Sequence, residues 1–257
     1  MAALRLESPQ LSFVDGSLGI GRFAQAPIRI YPGFLVAAGL LAMPNWWWWP
    51  GLPGMALFVI DLVTVFASVL LHELAHAVVA ERYGVAARRI DLYLFGGVVA
   101  LDALPKAMRQ DCAIVMAGPL ANLVLAGIAY AVLILVGGGP AQPVVHGGLW
   151  ADAVFAPHVA GRALTFALYL NLGLFAVNML PAFPLDGGRL LFMLIARRWD
   201  RRTATIVVAR FGVYLGLASY LLFLVTAMIG CPIWSPPDAG VNLKVLRAAE
   251  RDGTSYY

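Results

Sequence analysis

The sequence predicts an all-α polytopic membrane protein: five to six transmembrane helices, a small membrane-associated β-hairpin and one helix broken at a Pro/Gly-rich motif. Three observations predict this. Of the 257 residues, 61% are hydrophobic and only 12% charged, where a soluble domain carries about 25% charged residues. Several apolar runs reach the roughly 20 residues that cross a bilayer as a helix. Lys and Arg gather in the connections between those runs. The opening residues lack the basic, apolar, small-residue order of a cleaved signal peptide. The two cysteines, Cys112 and Cys231, make neither a disulfide framework nor a CxxC zinc pair.

In chain order, the first apolar segment is short, roughly Tyr31–Met43, and the cluster Trp46–Trp49 after it reads as an interfacial aromatic belt. The second runs from about Gly54 to Ala80. After the basic stretch Arg82, Arg88, Arg89 comes IDLYLFGGVVALD, β-prone with Gly96 and Gly97 at its middle, which reads as a hairpin. The third segment spans about Cys112–Val136. The fourth covers about Ala163–Leu180 and breaks at PAFPLDGGR, and the last is about Ile206–Ile229.

Charge orients these segments. The basic connections after segments two and four, with Lys106 and Arg109, belong in the cytoplasm, and the loop 137–160, without Lys or Arg, belongs outside. Five spans would put the tail outside, whereas Lys244, Arg247 and Arg251 argue for the inside.

Within segment two stands LLHELAH. Positions i and i+4 of a helix lie about 40° apart and one turn along, so His72 and His76 project from one face. Glu73 sits beside them, angularly displaced, able to reach a water without ligating the same ion. This is the HExxH logic of zinc hydrolases, in which neutral imidazoles hold Zn²⁺ and the glutamate moves protons. HExxH also occurs by chance in helices, but ionisable residues at membrane depth are costly and call for a partner.

A catalytic zinc takes three protein ligands. His146 and His158 fall in the outside loop and read as ordinary polar loop residues. Asp61 is too far along the same helix, about 16 Å, and reads as hydrated near the outer boundary or lining a water path. Cys112 reads as a small buried residue. Asp186 remains. Pro181 and Pro184 break the helix around it, Gly187 and Gly188 permit close approach, and charge-based topology puts it on the same side as the histidines.

HELAH followed by NMLPAFPLDGGR resembles the site-2 protease family of intramembrane zinc metalloproteases, peptidase family M50. LYLFGGVVAL is similar to that family's FGG-containing hairpin, and AGPLAN at 117–122 to its Gly-Pro-x-x-Asn element. The resemblance covers roughly residues 20–230. It implies that His72, His76 and Asp186 bind one zinc ion, that Glu73 is the catalytic base, and that Asn178 and Asn122 contact substrate. The implied substrate is a transmembrane segment of another protein in the lipid bilayer. The branch most resembled often adds CBS domains, and none follows here; residues 1–230 read as the protease domain and 231–257 as a polar tail.

A helical substrate must be unwound and its backbone given new partners, since lipid offers none. The stretch 90–101, with Gly96 and Gly97, is thus a candidate strand edge for substrate, or a plug of the cytoplasmic mouth. Asn178 and Asn122 could equally bond helix to helix. Arg189 reads as an interfacial anchor, and Arg197–Arg202 as a topology signal. Two other functions use the same ligands: a metal-ion transporter, and a non-catalytic membrane-protein binder.

Overall fold

The computed structural model describes residues 12–14, 16–48, 51–93, 96–136, 159–228 and 239–252. The chain begins with three strands: β1 (Ser12–Val14), β2 (Ser17–Phe23) and β3 (Ala26–Ile30). Helices α1 (Pro32–Trp48) and α2 (Leu52–Arg82) follow, then β4 (Ala87–Tyr93) and β5 (Gly96–Leu101). The rest is helical: α3 (Met108–Leu135), α4 (Val159–Asn178), α5 (Asp186–Ala196), α6 (Arg201–Met228) and α7 (Ala239–Asp252).

Among the described residues, four helices are long and apolar enough to cross a membrane: α2, α3, α4 and the part of α6 over Arg201–Tyr220. The expected first segment forms a shorter apolar helix over Pro32–Met43. The chain is therefore a mostly helical membrane protein with four candidate spans. The Trp46–Trp49 side chains, the loop with His146, Asp152 and His158, and Cys231 lie outside the described residues.

The expectation of an all-α chain with one hairpin needs correcting. The hairpin β4–β5 is there, but it is the outer part of a five-stranded sheet in the order β1-β2-β3-β4-β5. Strands β3 and β4 run parallel, Ile28 opposite Ile90, so α1 and α2 form the crossover that joins them. β5 is an edge strand of this sheet. The first three strands escaped notice for a physical reason. β2, SLGIGRF, carries two glycines that weaken strand patterning, and the β2–β3 turn uses Ala24 at φ 51 instead of a glycine or asparagine.

The sheet packs on the half of α2 that bears the histidines. Ala26, Ile28, Ala87 and Ile90 bury against Ala77, with Leu70 and Leu74 beside them. A second cluster ties the sheet to three helices through Ile30, Leu92, Phe34, Val65, Val69, Phe166 and Leu170. Such burial contributes about 1.5–3 kcal/mol for each large apolar side chain withdrawn from water. In the bilayer the gain comes from close packing instead, because lipid tails are as apolar as leucine.

α2 rises about 46 Å, longer than the roughly 30 Å hydrocarbon layer. Pro53 opens it and Gly84 ends it. Gly84, at φ 76, donates to Glu81 O at 2.9 Å, and Val85 donates to Ala80 O at 3.0 Å, a Schellman closure. Val85 then packs on Ala80 and Ile114, which joins the end of α2 to α3.

The tail, which the sequence left without a side, contains α7. Arg202 at the start of α6 donates to Ala249 O at 2.9 Å and to Glu250 O at 3.0 Å. α7 therefore returns to the end of α6 that carries the basic cluster.

Candidate metal centre

His72 and His76 face the first residue of α5, Asp186. Their Nε2 atoms stand 3.1 Å apart, and Oδ2 of Asp186 lies 3.2 Å from the first and 3.3 Å from the second. All three residues are buried. Each offers one ligand atom, and the three atoms lie within 4.8 Å of one another.

Hydrogen bonds on the far sides of the rings fix what these nitrogens present. Nδ1 of His76 lies 2.7 Å from Ile114 O, an acceptor only, so Nδ1 donates to it and Nε2 is the nitrogen turned inward. For His72 the partner is Oδ1 of Asn122. The orientation of that amide follows from a chain of contacts. Asn171 donates through Nδ2 to Ala167 O at 2.8 Å and to Ser68 Oγ at 3.0 Å. Its Oδ1 therefore faces Nδ2 of Asn122, which donates to it at 2.8 Å. Asn122 is left with its oxygen toward His72, so Nδ1 of His72 donates to it and its Nε2 turns inward as well.

Two ring nitrogens and a carboxylate oxygen thus converge in a buried space, and Oδ2 of Asp186 has no hydrogen-bond partner of normal geometry among the described residues. Such a set is repulsive unless positive charge lies within it. Two imidazoles and a carboxylate are zinc ligands, each imidazole backed by an oxygen acceptor, so the residues fit that ion.

Small residues leave room around this group. A Cβ on Gly118 of α3 would lie 2.3 Å from Nε2 of His76 and 2.6 Å from Nε2 of His72. On the other side β5 presses on Glu73, where a Cβ on Gly97 would lie 2.3 Å from Cγ. Glu73 is buried one residue after His72. Gly96, at φ 131, starts β5 opposite Tyr93. Burial, then the hydrogen bond with Tyr31, pushes the Tyr93 phenol up to about 12, so it stays a donor to Asp91 (3.1 Å) at neutral pH.

The glycines after Asp186 serve the loop before it. A Cβ on Gly187 would meet Met179 O at 2.3 Å and one on Gly188 would meet Ala182 O at 2.4 Å, so loop 179–183 lies directly on the first turn of α5. Asn178, half-buried at the end of α4, donates to Leu174 O at 2.9 Å. Asn122 is fully buried, with both amide ends engaged by His72 and Asn171. Arg189 pairs with Asp111 of α3 at 3.6 Å. Cys112 touches Met193 at 3.8 Å as a packing residue. Asp61 does not sit hydrated at a boundary; it is fully buried inside the bundle. Sequence reasoning missed Ser68 and Asn171, and it gave Gly118, the glycine of the Gly-Pro-x-x-Asn element, no role of its own. An asparagine in the middle of the apolar run at 163–180 was the available signal for the second.

Apolar helices long enough to cross a membrane and a buried His-His-Asp group that could hold a metal ion mark the class of a membrane metalloprotein. Residues 60–223 match Peptidase family M50, and the chain belongs to that family. It is 32% identical over 218 residues to a zinc metalloprotease of Methanocaldococcus jannaschii, covering 83% of this chain and 56% of that protein. It is 38% identical over 167 residues to Rip3 of Mycobacterium tuberculosis, covering 62% of this chain and 39% of that protein. The chain spans about half the length of the curated relatives it matches. The solved site-2 protease from Methanocaldococcus jannaschii shares the fold, with a TM-score of 0.58 and 24% identity over 94% of this chain and 97% of that one. Zinc is the metal that these relatives point to, and the His72, His76, Asp186 group is suited to it.

Proposed function

We propose that this chain is an intramembrane zinc endopeptidase that cleaves transmembrane segments of other membrane proteins. His72, His76 and Asp186 hold the ion, and Glu73 is the general base. The observation that carries this reading is the convergence of three ligand atoms, one each from His72, His76 and Asp186, with buried Glu73 next to His72 in the chain. Zinc, when bound, supplies a Lewis acid that polarises the scissile carbonyl and makes water nucleophilic near neutral pH. Glu73 accepts the proton of the attacking water and returns it to the leaving amine nitrogen. Asn122 keeps His72 in the ligating tautomer. Asn178, at the mouth of the loop, holds the substrate backbone or the developing oxyanion.

β5, the sheet edge that touches Glu73 at Gly97, receives the unwound substrate as an added strand. Gly96 and Gly97 allow that backbone to come close. The basic connections support a site that opens toward the cytoplasmic side of the cell membrane.

The test is cleavage of a single-helix membrane substrate in liposomes by wild type and by Glu73→Gln. The variant is expected to keep its zinc and lose cleavage. Equal cleavage by both sinks the base assignment. Zinc flux across the same liposomes without any cleavage establishes the transporter reading in its place.

A further inference from the structure

Loop 179–183 and the turn to Asp186 present a problem of backbone hydrogen bonding. Pro181 and Pro184 have no N–H, and the backbone around them belongs to no helix or strand. Phe183 between them is fully buried, so its N–H and C=O need partners within the protein. Both partners come from one side chain in the tail. Asn242 of α7 accepts from Phe183 N at 3.1 Å and donates to Phe183 O at 2.7 Å. The amide thus pairs with Phe183 as a neighbouring strand would.

α6 is shaped to admit this contact. A Cβ on Gly212 would lie 2.0 Å from Oδ1 of Asn242, and one on Gly216 would lie 2.6 Å from the Cβ of Ala239. Glycine at these two places lets α7 lie directly on the α6 backbone. Val245 and Leu246 continue the contact onto the cluster of Phe183, Phe192, Met193, Ala204 and Val208. Three residues after Phe183 comes Asp186, and Gly188 packs against the carbonyl of Ala182. Tail, loop and metal-facing carboxylate are therefore one packed unit.

We infer that Asn242 is a positioning residue for the metal centre: α7 latches the proline-broken loop through the Phe183 peptide and thereby sets where Asp186 points. This rests on Asp186 being a zinc ligand. It also makes the stretch 239–252 part of the protease unit and not an appendage. Without the latch, the buried Phe183 peptide would lose the two hydrogen bonds that Asn242 makes to it, and the loop would relax by moving the carboxylate away from the histidines.

The experiment measures zinc affinity by chelator competition on the full chain in detergent, for wild type, Asp186→Ala, Asn242→Leu and Gly212→Ala. Leucine keeps the volume of Asn242 and removes both hydrogen bonds; alanine at 212 pushes the amide off Phe183 from the other side. Each is expected to weaken zinc binding about tenfold or more while far-UV dichroism is retained. The double variant should be no worse than the single ones, since both break one contact. Hydrogen exchange on the wild type adds a readout that needs no variant: the Phe183 amide should be strongly protected. If Asp186→Ala loses zinc while both latch variants keep wild-type affinity, the latch is overturned and the ligand assignment stands. Unimpaired zinc binding by Asp186→Ala overturns the ligand assignment itself. Rapid exchange at Phe183 overturns the latch even where a variant does not fold.

Discussion

The amide of Asn171 determines which way the amide of Asn122 points. Asn171 spends its two donors on Ala167 O and Ser68 Oγ, so only its oxygen is left for Asn122, whose own oxygen then faces His72. A polar relay across α2, α3 and α4 thus ends at one ring nitrogen of His72 and turns the opposite nitrogen toward His76 and Asp186.

Replacing Asn122 by leucine removes the acceptor of the His72 Nδ1 proton, and zinc affinity should fall about 10–100-fold. Asn171→Leu should have a smaller effect of the same sign, because Asn122 can still turn its oxygen to His72 without being forced to. Chelator competition on the two variants measures both. Equal affinity for wild type and Asn122→Leu would show that the relay is structural only.

Gly118→Ala is expected to empty the metal centre without unfolding the chain. Alanine is the better helix former by about 1 kcal/mol, so α3 itself gains. The added methyl would come within 2.3 Å of Nε2 of His76 and 2.6 Å of Nε2 of His72, and must occupy the space into which both lone pairs point. Zinc content by elemental analysis should drop toward zero while the thermal transition of the metal-free protein stays close to that of wild-type apoprotein.

Gly97→Ala tests the other wall. Its methyl would lie 2.3–2.6 Å from three atoms of Glu73, so the carboxylate must move while the ligand atoms need not. Displacing a catalytic group by about 1 Å can cost on the order of a hundredfold in rate. Zinc content should stay at the wild-type level and kcat should fall. Loss of zinc instead would mean that β5 supports the ligands and not the base.

Much of this centre was legible in the chain. HELAH brings His72, His76 and Glu73 together through helical spacing alone, and the prolines before Asp186 mark a break in the apolar run that the structure shows as the loop leading into α5. The third dimension was harder to read. Gly118 and Gly97 matter for what they lack, and only a fold shows which atoms come against them. β1–β3 are easy to pass over because β2 carries two glycines and the β2–β3 turn an alanine, although Asp15-Gly16 between β1 and β2 is a hairpin signal. Asn242 sits in a stretch that reads as polar tail, although Val241, Val245, Leu246 and Ala249 keep a helical stripe that marks a packed face.

The edge of β5 supplies the last prediction. Proline cannot donate to a ladder, and in an antiparallel strand consecutive N–H groups point to opposite sides. Of Val98 and Val99, opposite Asp91 and Ile90 on β4, one therefore donates inward to β4 and the other outward to whatever joins the edge. Proline at the inward position should weaken the hairpin and lower the thermal transition. Proline at the outward position should leave the transition nearly unchanged and abolish cleavage of a membrane-embedded helix, while a short unstructured peptide is still cut, because it needs less help in staying extended. The pair is scored by melting temperature together with the ratio of the two cleavage rates. If neither proline alters that ratio, substrate does not add to β5, and the hairpin serves only to close the mouth of the site.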